Sequence, residues 1–189
     1  LHSTSKRYHN AYRIILEKIN NKEKFIDPKN LNEFFNNEFG EESFSLLTLD
    51  DGFDNNFEFA DTILRQLNIK AIFFIIPDFI NISKRSNKDF FRSLYPSKHY
   101  KWSNKLIKDF VPLTANKIIS LRKNGHTIGM HGFSHENFGR LDESEILQKI
   151  YLGFRVFNEL NLEIQHFAYP FGDKKSFTHD SDRILKNYF

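Results

Sequence analysis

Residues 44–56 read FSLLTLDDGFDNN. A run of apolar, strand-forming residues stops at two adjacent acids and a glycine. Two carboxylates side by side at the end of a buried strand repel each other and resist desolvation. Either the strand emerges into solvent at Asp50, or something positive is held there. The elements on both sides of this stretch define what that strand end faces.

Working outward, SFSLLTL (43–49) is a buried strand. NFEFADTILRQLN (56–68) places Phe59, Ile63, Leu64 and Leu67 on one helical face. IKAIFFIIP (69–77) is a second strand, an unbroken apolar run of the kind parallel sheets bury on both faces. The polar stretch 78–112, with Tyr95, Tyr100 and Trp102 embedded, reads as an insertion carrying short helices. Thr114 caps a helix that Gly125 ends, and HTIGM (126–130) is a third strand. Asp142 and Glu145 form a capping box, opening a helix with Ile146, Ile150, Phe154 and Phe157 on one stripe. IQHFAYP (164–170) is a fourth strand, and DSDRILKNYF is a closing helix. Helical spacing over 8–19 and 29–38 makes residues 1–42 a helical lead-in to a domain spanning 43–189. Strand and helix alternate, so the expected class is α/β with parallel strands.

Composition removes several functions. The 189 residues carry no cysteine, which excludes disulfides, thiolate metal sites and cysteine nucleophiles. The 27 basic and 24 acidic residues are dispersed, and no basic stripe interleaves with aromatics, so nucleic acid is not an expected partner. The longest apolar run, Ala71 to Pro77, is far short of a transmembrane segment. No charged-then-apolar leader opens the chain, which slightly favours a cytoplasmic location for the chain as it stands, although Leu1 is not a natural start.

In parallel α/β folds, ligands bind outside the carboxyl ends of the strands. Here those ends are Asp50-Asp51-Gly52, His131-Gly132-Phe133-Ser134-His135 and Tyr169-Pro170-Phe171-Gly172-Asp173. Two imidazoles four apart meet on one side if the chain turns into helix, a pairing that serves zinc elsewhere. A divalent cation held by Asp51, His131 and His135 would explain why two carboxylates stand together. Asp50 would then be free of the metal and able to accept a proton from water.

These residues resemble the polysaccharide deacetylases of NodB homology, carbohydrate esterase family four. Thr48-Leu49-Asp50-Asp51-Gly52 is similar to the family's T-F-D-D-G motif. His131 and His135, with Ser134, match its H-[ST]-x-x-H spacing, with Gly132 where Ser or Thr is common. Ala71-Ile72-Phe73-Phe74 resembles its A-T-F-F strand. The resemblance implies a distorted (β/α) barrel and hydrolysis of the N-acetyl group of an N-acetylated sugar or polysaccharide, with one divalent ion, typically zinc. It implies that Asp50 is the base and that Asp51, His131 and His135 are the metal ligands. It also puts Tyr169, Pro170 and Phe171 at the substrate, with the Phe171 N–H at the oxyanion.

Two departures stand out. Ala168 occupies the position of the family's common Arg, and the late Leu-x-His motif that supplies the general acid has no counterpart in the sequence. His166 reads as structural and His179 as solvated. The chain stops where later strands are expected, so the barrel reads as incomplete at its C-terminus. Open sheet edges would then favour self-association. Hydrolysis of another C–N bond (formyl or cyclic amide) and a degenerate, non-catalytic carbohydrate-binding or scaffold role are the alternatives.

Overall fold

The computed structural model describes residues 1–36, 43–80, 87–95 and 110–189. The expected positions Tyr100 and Trp102 lie outside the described residues. Helix α1 (His9–Asn20) leads to strand β1 (Lys24–Phe25) and the short helix α2 (Leu31–Phe35). Strands β2 (Phe44–Ser45) and β3 (Leu47–Leu49) follow. The next helix, α3, is continuous through Asn55–Phe59, a π-pitched turn at Ala60–Leu64, and Arg65–Leu67. Strand β4 (Ala71–Ile75), helix α4 (Asn87–Leu94), helix α5 (Ala115–Lys123) and strand β5 (Thr127–Met130) come next. Helices α6 (Glu143–Glu159) and α7 (His179–Leu185) complete the described elements.

The sheet runs β3-β4-β5, parallel throughout, with Thr48 opposite Ile72 and Phe73 opposite Ile128. Alternation along the strands separates two cores. Leu47, Leu49, Phe73, Ile75, Ile128 and Met130 turn to one face, against Ile63 and Leu64 of α3, Ile118 and Leu121 of α5 and Phe157 of α6. Ile72 and Phe74 turn to the other, against Ile26, Leu31, Phe34 and Phe44. The lead-in therefore packs on both faces: Leu16 and Tyr12 of α1 join the main core, while Ile26, Leu31 and Phe34 cover the opposite face. It is also not wholly helical: β1 pairs in parallel with β2. Asp27 precedes Pro28, and a residue before proline is pushed to extended backbone, which keeps this stretch out of helix.

The fourth strand is reduced to a single parallel bridge between Met130 and Phe167. Met130 N–H donates to the His166 carbonyl and its own carbonyl accepts from Ala168 N–H, with no further ladder pairs. Among the described residues no closed barrel forms, and the shared architecture is an α/β fold with parallel strands. The capping box at Asp142 and Glu145 forms as expected, each backbone N–H donating to the other side chain at 2.9 Å. Thr114 is at the N-cap of α5 but makes no side-chain cap bond.

Across the other edge of β3 lie residues 1–4. The Leu1 amine donates to the Thr48 carbonyl (2.9 Å), and the Leu1 carbonyl accepts from Asp50 N–H (2.8 Å). Asn56, fully buried, donates to the His2 carbonyl (2.8 Å) and the Thr4 hydroxyl (3.0 Å). Asn55 accepts from Thr4 N–H at 2.8 Å. Residues 1–4 are thus fastened beside the acidic strand end by the two asparagines that open α3.

Candidate active site

The three strand ends converge as the spacing predicts, but by turns and not by helix. Asp51 and Gly52 take positive φ (70° and 74°) as the chain leaves β3. Gly52 is required there, because a Cβ would also come 3.1 Å from the Ile75 side chain. After β5 the His131–His135 stretch is a turn, with Gly132 and His135 both at φ 66°. Phe171 is likewise left-handed at φ 69°. Of the five non-glycine residues with positive φ among the described residues, these three are at the cleft, and Asn68 and Asn161 follow helix ends. Backbone strain concentrated this way is characteristic of sites held by their surroundings.

Asp51, His131 and His135 are all buried, and their ligand atoms lie within 4.8 Å of one another. Nε2 of each imidazole stands 3.5 Å from the same Asp51 Oδ1. A tetrahedral ion with bonds of about 2.1 Å separates its ligand atoms by roughly 3.4 Å, so the spacing suits such an ion. His131 Nδ1 is 2.9 Å from the Ala168 carbonyl and His135 Nδ1 is 3.0 Å from the Ser93 carbonyl. A carbonyl only accepts, so each Nδ1 carries a proton and each Nε2 is the nitrogen that faces Asp51. Burial and the neighbouring His131 push the His135 pKa down to about 4, against the pull of Asp51, so the ring is neutral and ready to ligate. The donor set, tautomers and spacing all fit a divalent cation.

Asp50 is outside this trio, with its side chain partly exposed. It opens on a cleft of about 260 Å³ lined by His2, Asp50, Asp51, Leu94, Tyr95, His131, His135, Tyr169, Phe171 and Gly172. His2 Nε2 is 3.9 Å from Asp50 Oδ2. The sequence pattern carried no signal for His2, because the backbone pairing of Leu1 with β3 brings it there. Phe171 is 43% exposed, and its ring packs edge-on against His135 at 4.5 Å between centroids. Pro170 is buried, its ring 3.1 Å from where a Gly132 Cβ would lie. Tyr169 lines the cleft, and its ring stacks on Phe177 and meets Phe138 and Phe167.

The insertion contributes more than its composition suggests. Ser93 supplies the carbonyl that orients His135, and Leu94 and Tyr95 form one wall of the cleft. Phe53, Ile76, Phe79, Phe90 and Leu94 make a separate apolar cluster that seats α4 over the strand ends. Tyr95 packs on Phe91 and Phe110 and is still 38% exposed. Ala168 packs with the Ile72–Phe74 cluster and offers the site only its carbonyl. His166 and His179 are absent from the cleft lining.

A parallel α/β fold with an Asp-His-His donor set and a free aspartate at its strand ends defines a hydrolase-like architecture suited to a divalent ion. The chain belongs to the polysaccharide deacetylase family, whose family model matches residues 39–188. No curated protein matches the chain. Among solved structures, it is similar to IcaB from Ammonifex degensii (18% identity, TM-score 0.72, covering 99% of this chain and 77% of that one). It is also similar to the Streptococcus pyogenes deacetylase PplD in complex with acetate (15% identity, TM-score 0.73, covering 100% and 77%). A carbohydrate esterase family four pseudoenzyme from Bacillus anthracis aligns over less (19% identity, TM-score 0.50, covering 76% and 40%). The first two alignments extend over the lead-in, so its docking on the sheet is part of the fold shared with them.

Proposed function

We propose that the protein is a metal-dependent hydrolase that removes the N-acetyl group from an N-acetylated sugar or polysaccharide. The observation that carries this reading is the two 3.5 Å contacts of His131 and His135 with one Asp51 oxygen, beside an unligated Asp50. Family membership supports the same reaction class. Asp51, His131 and His135 would hold the ion, with zinc suiting the two imidazoles and one carboxylate. Bound there, such an ion supplies Lewis-acid polarisation of the acetyl carbonyl and lowers the pKa of water at the site.

The chain's own residues provide the proton transfers. Asp50 accepts the proton from the attacking water. His2, facing Asp50 across the cleft, gives a proton to the departing amine, the role for which no histidine was found late in the chain. The Phe171 N–H, set by a left-handed turn, stabilises the oxyanion of the tetrahedral intermediate. Tyr95 and Phe171 offer exposed aromatic surface at the cleft for a sugar ring.

The test is acetate release from N-acetylglucosamine oligomers by zinc-loaded protein, with N-formylated oligomers run in parallel. Acetate release supports deacetylation, and release of formate alone moves the reaction to the other C–N bond. The second reading is a binding member without catalysis, favoured by Ala168 in place of the base-orienting arginine. Oligomer binding with no hydrolysis of either substrate would establish it.

A further inference from the structure

Glu136, directly after the second histidine, is gripped by the turn that carries both imidazoles. Its carboxylate accepts from the Phe133 amide (2.9 Å), the Ser134 amide (3.0 Å) and the Ser134 hydroxyl (2.6 Å). Lys149 of α6 pairs with it at 3.0 Å.

The turn requires such a brace. Gly132 and His135 both hold φ 66°, a conformation that is unfavourable for a residue with a side chain. His135 relaxing to negative φ would rotate its ring away from Asp51 and from the Ser93 carbonyl. At Gly132 the fit is equally close: a Cβ would meet a Glu136 carboxylate oxygen at 2.9 Å and the Pro170 ring at 3.1 Å. The carboxylate thus occupies the space in which a side chain at 132 would stand. Outer partners of metal ligands act by fixing ligand orientation.

We propose that Glu136, anchored by Lys149, is a positioning residue that holds His131 and His135 converged on Asp51 for a divalent ion. This rests on the metal-site reading above and adds to it a residue that touches neither ion nor substrate. The test is the zinc affinity of the full chain, by competition with a chromophoric chelator, for wild type, Glu136→Gln and Lys149→Met. The visible absorption of cobalt-loaded protein and the melting of metal-free protein are measured on the same samples.

Glu136→Gln is expected to weaken zinc binding about 10–100-fold and to alter the cobalt absorption, and Lys149→Met to do the same more weakly. A merely structural Glu136 would lower the melting temperature while leaving zinc affinity and the cobalt spectrum unchanged, which overturns the proposal. If Glu136→Gln does not fold, Lys149→Met decides by the same two readouts. Wild type that takes up no zinc overturns the metal-site reading, and this proposal falls with it. Equal binding by all three proteins overturns the proposal alone.

Discussion

The two adjacent aspartates divide their work by geometry. Asp51 turns inward at positive φ to meet both imidazoles, while Asp50 faces the cleft and His2. If Asp50 is the proton acceptor as proposed, Asp50→Asn should lower kcat about 10²–10⁴-fold with zinc content unchanged. His2→Ala should lower kcat by a similar order with little change in zinc affinity, and steady-state kinetics beside metal analysis check both. At this scale the sequence was informative wherever residue type carried the chemistry. Asp50, Asp51, His131 and His135 stand at strand ends whose apolar runs are easy to read. His2 was not legible, since its place depends on Leu1 pairing with Thr48 and Asp50. Nor was Ser93, which acts through its backbone carbonyl, a group every residue has.

Elements form where local signals and burial agree. The Asp142–Glu145 capping box starts α6 as its pattern implies, and Gly153 of that helix lies so close to Met130 that a Cβ would come within 2.7 Å. Asp142→Ala should cost about 1 kcal/mol. For a chain of this size that is a fall in melting temperature of about 2–4 °C, readable by thermal denaturation. A helical turn would bring the two histidines to one side, but the stretch makes a left-handed turn instead, in which Glu136 takes up the Phe133 and Ser134 amides. The segment 164–170 has strand composition yet makes only the Met130–Phe167 bridge, since composition alone does not supply ladder partners. The same limit applies to the lead-in, where the extended backbone before Pro28 admits a short strand between two helices.

At the scale of the whole molecule, Ile26 and Leu31 of the lead-in cover one sheet face and residues 1–4 line the β3 edge. The packing of Ile26 and Leu31 on Ile72 and Phe74 was not legible in the sequence, because two amphipathic segments do not reveal which sheet face they cover. Global stability should fall in acid for an identifiable reason. His126 is buried beneath the sheet edge, its Nδ1 accepting from Ala71 N–H, and burial with nearby Lys70 lowers its pKa from 6.5 to about 4. The unfolded chain therefore binds a proton that the folded one does not between those values. The contribution is complete above pH 6.5 and is lost as pH falls through 6.5 toward 4, roughly 3 kcal/mol in all. Urea unfolding of wild type and His126→Asn across that range should show the loss in the first and a flatter profile in the second.

The central claim is that Asp51, His131 and His135 form a working metal site. It is tested most directly by the metal content of protein purified without chelator, comparing wild type with His135→Ala. Wild type is expected to carry close to one divalent ion per chain, and the variant to lose it. Wild type that stays metal-free through zinc titration, or a variant that retains the ion, would contradict it.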